Sequence, residues 1–467
     1  MKILAFIFCV LIIQLSCRAE ENNQNQDPVY TPKIVVELWR HGARAAARNT
    51  FKQDYVVQEG PGNLIGNGMR MHYVLGQAIR NKYKDTLFTS PAKYSDYEVT
   101  SSQVQRTMLS AYSHMLGIYP LGEGLKTTND VDSTKMPPFV TAVAPSPAIA
   151  NNALEGGYKP IPVNVIPQDQ DDVFMKGFEK LCPKADKFVN DEFKKRVASP
   201  ERMELIKDVA KVITDAGYTS QEYFKEPEWT SNTTGIFADV DKCFYFHEGV
   251  HMGKVSPDLV TGIADELEWV FGIYYFDSSY PNDQISKLYT TKMAKYVLQK
   301  MTDKMDPTKS SSLKFAGLSG HESNVIPFMS LYKLTNLNCM IDNLKKKIPG
   351  PTKDCETPPK FAANFMWELS QDDNSKKWYV ATYFNNNKIK SCDSPNKDMY
   401  CDYSEFEAFM NKNFILNVNE YIDVCGPPTN PAKEEESKLY FYLAIVMAGL
   451  FLVLLVVFLS YLYKHSK

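Results

Sequence analysis

Internal repetition is absent from this 467-residue chain, which removes solenoids and other repeat arrays from consideration. It has no Cys-x-x-Cys pair and no cluster of histidine with cysteine, so the ligand spacing of a zinc site is missing. No long basic stretch rich in aromatic residues occurs, and the formal charge is only -3, which argues against a nucleic-acid partner. The chain carries 9 cysteines; Cys9 and Cys17 fall in an apolar leader, leaving Cys182, Cys243, Cys339, Cys355, Cys392, Cys401 and Cys425. In an oxidising compartment most of these should pair, and the odd number leaves one over.

What is present begins at the ends. An apolar run from Ile3 to Leu15 follows Lys2, and small residues near Ala19 complete the layout of a signal peptide over 1–19. The polar stretch over 20–32 reads as a disordered lead-in. Leu439 to Tyr463 is almost wholly apolar and long enough to span a bilayer, with tyrosines at both of its ends. A linker over 426–438 precedes it, and Lys464 and Lys467 in the tail favour a cytosolic C-terminus. The expectation is a single-pass type I membrane protein whose folded part is luminal or extracellular, in the lysosome or at the cell surface. The sequon Asn232-Thr233-Thr234 fits such an ectodomain.

Between the ends lie about 400 residues, enough for one large domain or two joined ones. Ile34 to Trp39 is an apolar run that reads as a buried strand. Gly68 to Tyr83 has helical spacing, Tyr97 to Thr100 reads as a strand, and Ser101 or Ser102 can cap the helix that follows. The middle of the chain is helical and charge-rich. Strand signals return at Leu313 to Leu318 and at Trp378 to Phe384. This order predicts an α/β fold, with a mainly parallel central sheet flanked by helices and an inserted, mostly helical cap. The expected division is 33–145 and 306–425 for the core and 146–305 for the cap.

Three segments carry the chemistry. Arg40-His41-Gly42-Ala43-Arg44 ends the first strand, Arg106 opens a helix after the second, and Gly320-His321-Glu322 ends a third. Ligands of open α/β sheets bind beyond the carboxyl ends of strands, so these segments can converge there. Guanidiniums present forked donors matched to phosphate oxygens, and histidine can carry a covalent intermediate. The set resembles the histidine acid phosphatases, within them the prostatic and lysosomal type. Leu64 to Gly76, Val104-Gln105-Arg106-Thr107 and Pro160-Ile161-Pro162-Val163 extend the likeness, which runs from about Lys33 to Cys425.

The resemblance implies a membrane-anchored, metal-independent hydrolase of small phosphate monoesters that needs no cofactor. His41 would be the nucleophile, Arg40, Arg44, Arg106 and His321 would bind the phosphate, and Glu322 would protonate the leaving alcohol. It implies disulfides Cys182–Cys425 and Cys392–Cys401, with Cys243 joined to Cys339 or Cys355, and it leaves room for a homodimer. Physical chemistry agrees: phosphoryl transfer needs alignment and compensation of oxygen charge, which arginines supply. Neighbouring cations also keep an imidazole neutral in mild acid. The chain departs from the family in having His321-Glu322 where His-Asp is usual, Ala43 at a spot more often acidic or polar, and Thr100 where arginine is frequent. The longer side chain moves the carboxyl by roughly a bond length, and about 1 Å of misplacement can cost much rate. A carboxylate paired with one of the arginines is the other reading of Glu322. Two rival functions stand beside the main one: a phytase or inositol-polyphosphate phosphatase, and a catalytically weak ectodomain that binds phosphorylated ligands. Glu37, inside an apolar strand, calls for a buried donor; His72 reads as helix packing, and His247 and His251 as outer candidates for the pocket.

Overall fold

The computed structural model describes residues 28–47, 59–88, 93–127, 151–176, 178–197, 200–215, 283–335 and 359–426, with scattered positions between 217 and 243. The expected signal peptide and membrane span, Asn232 of the sequon, His247, His251, Cys339 and Cys355 lie outside the described residues. Among the described residues no helix is long and apolar enough to cross a membrane.

The first strand, β1 (Tyr30–Arg40), is the spine of the molecule. It pairs in parallel with β4 (Phe315–Gly320) and antiparallel with β5 (Asn364–Asp372), so neither edge is open and both faces are covered. Burial on both faces is why its sequence is a continuous apolar run rather than an alternation. β2 (Tyr97–Ser102) pairs in parallel with β4 and with β3 (Asn164–Ile166). β6 (Trp378–Phe384), β7 (Asn387–Ile389) and β8 (Tyr400–Asp402) complete an antiparallel half, giving the order β3-β2-β4-β1-β5-β6-β7 with β8 on β6. The expected α/β architecture is present, and its parallel half is the one that carries the candidate motifs.

Side chains alternate across β1. Ile34, Val36 and Leu38 face a core built with α6 (Gln284–Met305), α7 (Glu322–Leu331) and α8 (Tyr403–Phe414). Val35 and Trp39 face the other core, closed by α1 (Gly66–Tyr83) and α2 (Gln105–Ile118). Large rings such as Trp39, Trp367, Phe328 and Phe365 are fully buried, each contributing about 1.5–3 kcal/mol from removal of apolar surface. α3 (Phe178–Leu181), α4 (Pro183–Val197) and α5 (Pro200–Asp215) precede α6 in the chain, and α9 (Val418–Cys425) packs on α4 and α6. The Cys182–Cys425 disulfide joins the start of α4 to the end of α9, and Cys392–Cys401 closes a short loop; both are the pairs the family likeness implies.

Several expectations need adjusting. Tyr30 to Pro32, taken as disordered lead-in, are strand, because Tyr30 pairs with Asp372 and its ring stacks on Tyr400 at 4.0 Å. Two pieces of the stretch read as cap lie on the sheet instead: β3 at its edge, and α6 against β1. Neither serine caps α2, whose N-cap is Val104; Ser102 ends β2, and its hydroxyl bonds Thr107 and His321. Gly42 lets α1 pack closely, since a Cβ there would run into the carbonyl of Gly68 in the first turn of α1. Ala43 is fully buried in the same contact.

Helices α1 and α2 approach through Gly76 and Gly117, whose added Cβ atoms would meet the carbonyls of His114 and Tyr73. Gly76→Ala should therefore lower stability by about 1–3 kcal/mol through overpacking, read as a lower urea midpoint with the slope unchanged. An unchanged midpoint would show that the two helices can move apart without loss.

Candidate active site

The three motifs meet because of strand register. Arg40 of β1 sits opposite Gly320 of β4, and the His41 amide donates to the Gly320 carbonyl at 3.0 Å. Ser101 of β2 sits opposite Ser319 on the far side of β4, so the carboxyl ends of three adjacent parallel strands deliver His41, His321 and the start of α2 to one edge. This convergence follows from topology and was expected for an open parallel sheet.

His41 is almost fully buried. Its Nδ1 lies 2.8 Å from the Gly42 carbonyl. A carbonyl only accepts, so Nδ1 carries the proton and Nε2 holds the lone pair. The Gly42 amide in turn donates to Ser110 Oγ at 3.0 Å, which fixes the turn. Burial, then Arg106, His321, Arg40 and Arg44, hold the imidazole well below its ordinary pKa. His41 is thus a neutral base with one defined tautomer.

His321 stands edge-on to His41, with ring centroids 5.5 Å apart. It is the N-cap of α7, and its amide donates to Asn324 Oδ1 at 2.8 Å. Arg106 Nη2 donates toward His321 Nδ1 at 3.4 Å, leaving Nε2–H to donate to Ser102 Oγ at 2.8 Å. Burial, then Lys176 and Arg106, hold this imidazole too well below its ordinary range. Arg106 also donates to the Gly62 carbonyl at 3.3 Å, and its Nε is buried with no hydrogen-bond partner among the described residues. Burial and the other two guanidiniums lower Arg106 to about 10.

The remaining arginines hold acidic partners. Arg40, buried beneath the Phe361 ring at 4.7 Å, pairs with Glu322 and donates to the Pro359 carbonyl. Arg44 grips Asp239 through two contacts of 2.7 and 3.2 Å and donates to the Ala45 carbonyl at 3.0 Å. Burial opposes its charge, but Asp239 more than offsets that and raises its pKa. All six candidate residues therefore lie within one charge-coupled cluster, with Glu322 in the arginine-paired arrangement.

Sequence reasoning missed Asp239, Lys176, Ser102 and Ser110. Each is an ordinary residue in its local stretch, and only the fold brings it to the strand ends. Glu37 finds the donor it called for: Asn364 Nδ2 donates at 2.7 Å, and His114 Nε2 lies 3.1 Å from Oε2, in contact but outside good hydrogen-bond geometry. His72 does more than pack α1. Its Nε2–H donates to the Arg40 carbonyl at 3.1 Å, tying the helix to the strand end beside His41.

The family model of the histidine phosphatase superfamily (branch 2) matches residues 33–385. The chain belongs to this superfamily. Prostatic acid phosphatase of Bos taurus is 28% identical over 174 residues, covering 35% of this chain and 38% of that protein. Lysosomal acid phosphatase of Homo sapiens is 36% identical over 91 residues, covering 19% of this chain and 21% of that protein. The chain thus aligns with well under half the length of these relatives. The phytase of Klebsiella sp. ASR1 shares the fold, with a TM-score of 0.55 at 12% identity, over 84% of this chain and 99% of that one.

His41, His72 and His321 are all held neutral by burial in the folded protein, below the 6.5 of an ordinary imidazole. The unfolded chain takes up protons on them below about 6.5 and the folded chain does not, so stability is full above that pH and falls with acidification. Each histidine contributes a loss of roughly a kcal/mol per pH unit. In thermal melts between about pH 7 and 5, His72→Gln, which keeps a donor for the Arg40 carbonyl, should show a shallower decline than the parent protein. Parallel declines would mean that His72 takes up its proton over the same pH range in the folded and unfolded chains.

Proposed function

We propose that this protein is an acid phosphatase that hydrolyses phosphate monoesters through a phosphohistidine on His41. The observation that carries the reading is the tautomer: Nδ1 is committed to the Gly42 carbonyl, and Nε2 offers its lone pair within a ring of cations. Nε2 attacks phosphorus in line as the ester oxygen departs. Arg40, Arg44, Arg106 and His321 compensate charge on the nonbridging oxygens, the part of such a reaction that a protein can assist most. The orphaned Nε of Arg106 supplies one donor for them. Glu322 delivers a proton to the leaving alkoxide. Water then attacks the phosphohistidine, gives its proton to the Glu322 carboxylate, and phosphate leaves with the imidazole restored. Phosphate oxygens compete with Glu322 for Arg40, so substrate binding loosens the carboxyl at the moment it is needed.

No step in this sequence requires a metal. The disulfides Cys182–Cys425 and Cys392–Cys401 support a folded part outside the cytosol, and the apolar run from Leu439 to Tyr463, read as a C-terminal anchor, fits that reading. The parallel-sheet half and the helices on its two faces form the catalytic core, with the segment around α3 to α5 as the insert.

Denaturing the protein in alkali during turnover of a phosphorus-labelled ester should leave an acid-labile label on His41. Label on another residue, or abolition of activity by EDTA, would reject the mechanism. With p-nitrophenyl phosphate the acid limb of kcat/KM should lie well below pH 6.5, because His41 stays neutral there. Glu322→Gln should slow alkyl phosphates by about 100-fold or more and aryl phosphates far less, since a phenolate needs little protonation. Equal losses on the two ester classes would leave Glu322 as the structural partner of Arg40.

A further inference from the structure

Segment 171–176 is not part of any motif, yet it is fastened to the candidate site. Phe174 is buried, its amide donates to Asp171 Oδ1 at 2.7 Å, and its carbonyl accepts from Asn324 Nδ2 at 3.0 Å. The same Asn324 accepts from the His321 amide at 2.8 Å. The Phe174 ring also fills the space beside Gly320, where an added Cβ would stand 3.0 Å from Cδ1. Met175 then adopts a left-handed conformation at φ 56, which a side chain with a Cβ rarely accepts without support. Strained backbone of this kind tends to be kept where it places something.

What it places is Lys176. The residue is half-buried, and its ammonium has no hydrogen-bond or ion-pair partner among the described residues. Long cationic side chains are seldom drawn under the surface without a partner. Burial, then Arg106, lower it to about 8, while Asp171 and Glu322 act the other way. Its charge weighs on His321 more than that of any arginine, whereas it is absent from the leading influences on His41. Because Phe174, two residues before it, is bonded to the same Asn324 that holds the His321 amide, Lys176 lies on the His321 and Glu322 side of the cluster. In an in-line displacement the leaving group departs opposite the nucleophile, which is that same side.

We propose that Lys176 is a specificity-determining residue that selects esters whose leaving alcohol carries an anionic group close to the scissile oxygen. The inference rests on the phosphohistidine reading, which fixes which side the alcohol leaves from. A carboxylate or second phosphate there meets an ammonium that has no hydrogen-bond or ion-pair partner among the described residues. A neutral alcohol gains nothing from it.

Ethyl phosphate and phosphoglycolate test this, since they differ by a methyl in place of a carboxylate. The parent protein should prefer phosphoglycolate. Lys176→Met should lower the ratio of kcat/KM for phosphoglycolate over ethyl phosphate about tenfold, mainly through KM, and Lys176→Arg should restore much of the preference. An unchanged ratio would overturn the proposal. So would equal losses on both esters with p-nitrophenyl phosphate spared, which would make Lys176 a partner of the leaving oxygen. Labelling of His41 by the aryl ester, measured on each variant, reports the underlying mechanism separately: loss of label in the parent protein would sink that reading and not the charge selectivity alone. Labelled variants with intact melting temperatures exclude misfolding as the cause.

Discussion

The arrangement depends on one imidazole kept neutral in a cationic setting. A histidine among three guanidiniums has every electrostatic reason to shed its proton, and burial adds to the same effect. That alone would not make a nucleophile, because either nitrogen could hold the remaining hydrogen. The Gly42 carbonyl removes the ambiguity by accepting from Nδ1. It can do so because the turn after β1 is clamped between Ser110 of α2 and Gly68 of α1. Packing of two helices on one face of a sheet thus decides which ring nitrogen keeps its lone pair.

Much of this was legible in the chain. The apolar run before Arg40, the arginine after Ser102 and the dipeptide His321-Glu322 mark three strand ends, and sheet topology brings them together as expected. The late strand Trp378–Phe384 matches its reading residue for residue, because β-branched and aromatic residues leave little choice. Other features were illegible for definite reasons. Ser102 offers a good helix cap in isolation, yet its hydroxyl is more useful to His321 once the strands align. Asp239 belongs to the site only through its contact with Arg44, across 195 residues of chain. The edge strand β3 is three residues long, too short for a periodic signal.

Beneath the site the sheet carries a second polar layer. Glu37 lies inside β1, fully buried, between Asn364 of β5 and His114 of α2, and Trp39 stacks on the His114 ring at 4.5 Å. His72 meets His114 edge-on at 5.8 Å and reaches the Arg40 carbonyl. A buried polar group is costly unless partnered, and partnered groups fix register more sharply than apolar packing does. This layer holds β1, β5, α1 and α2 in one alignment, so that Arg40 and His41 emerge at a set position. Apolar substitutes could fill the same volume without specifying that alignment.

Charge balance explains why a cluster so rich in cations can stay buried. Arg40 and Arg44 are paired with Glu322 and Asp239, whereas Arg106 and Lys176 carry lowered pKa values instead. With both carboxylates ionised, the two positive charges not matched by an acid among the described residues equal the charge of a phosphate ester dianion. Protonating Glu322 adds one positive charge and suits the same dianion with a surplus, while an ester monoanion with Glu322 ionised holds the same total. One added proton therefore gives the same total charge whether it sits on ester or carboxyl. On the proposed mechanism, one mobile proton between Glu322 and the ester is what departure of an alkoxide requires.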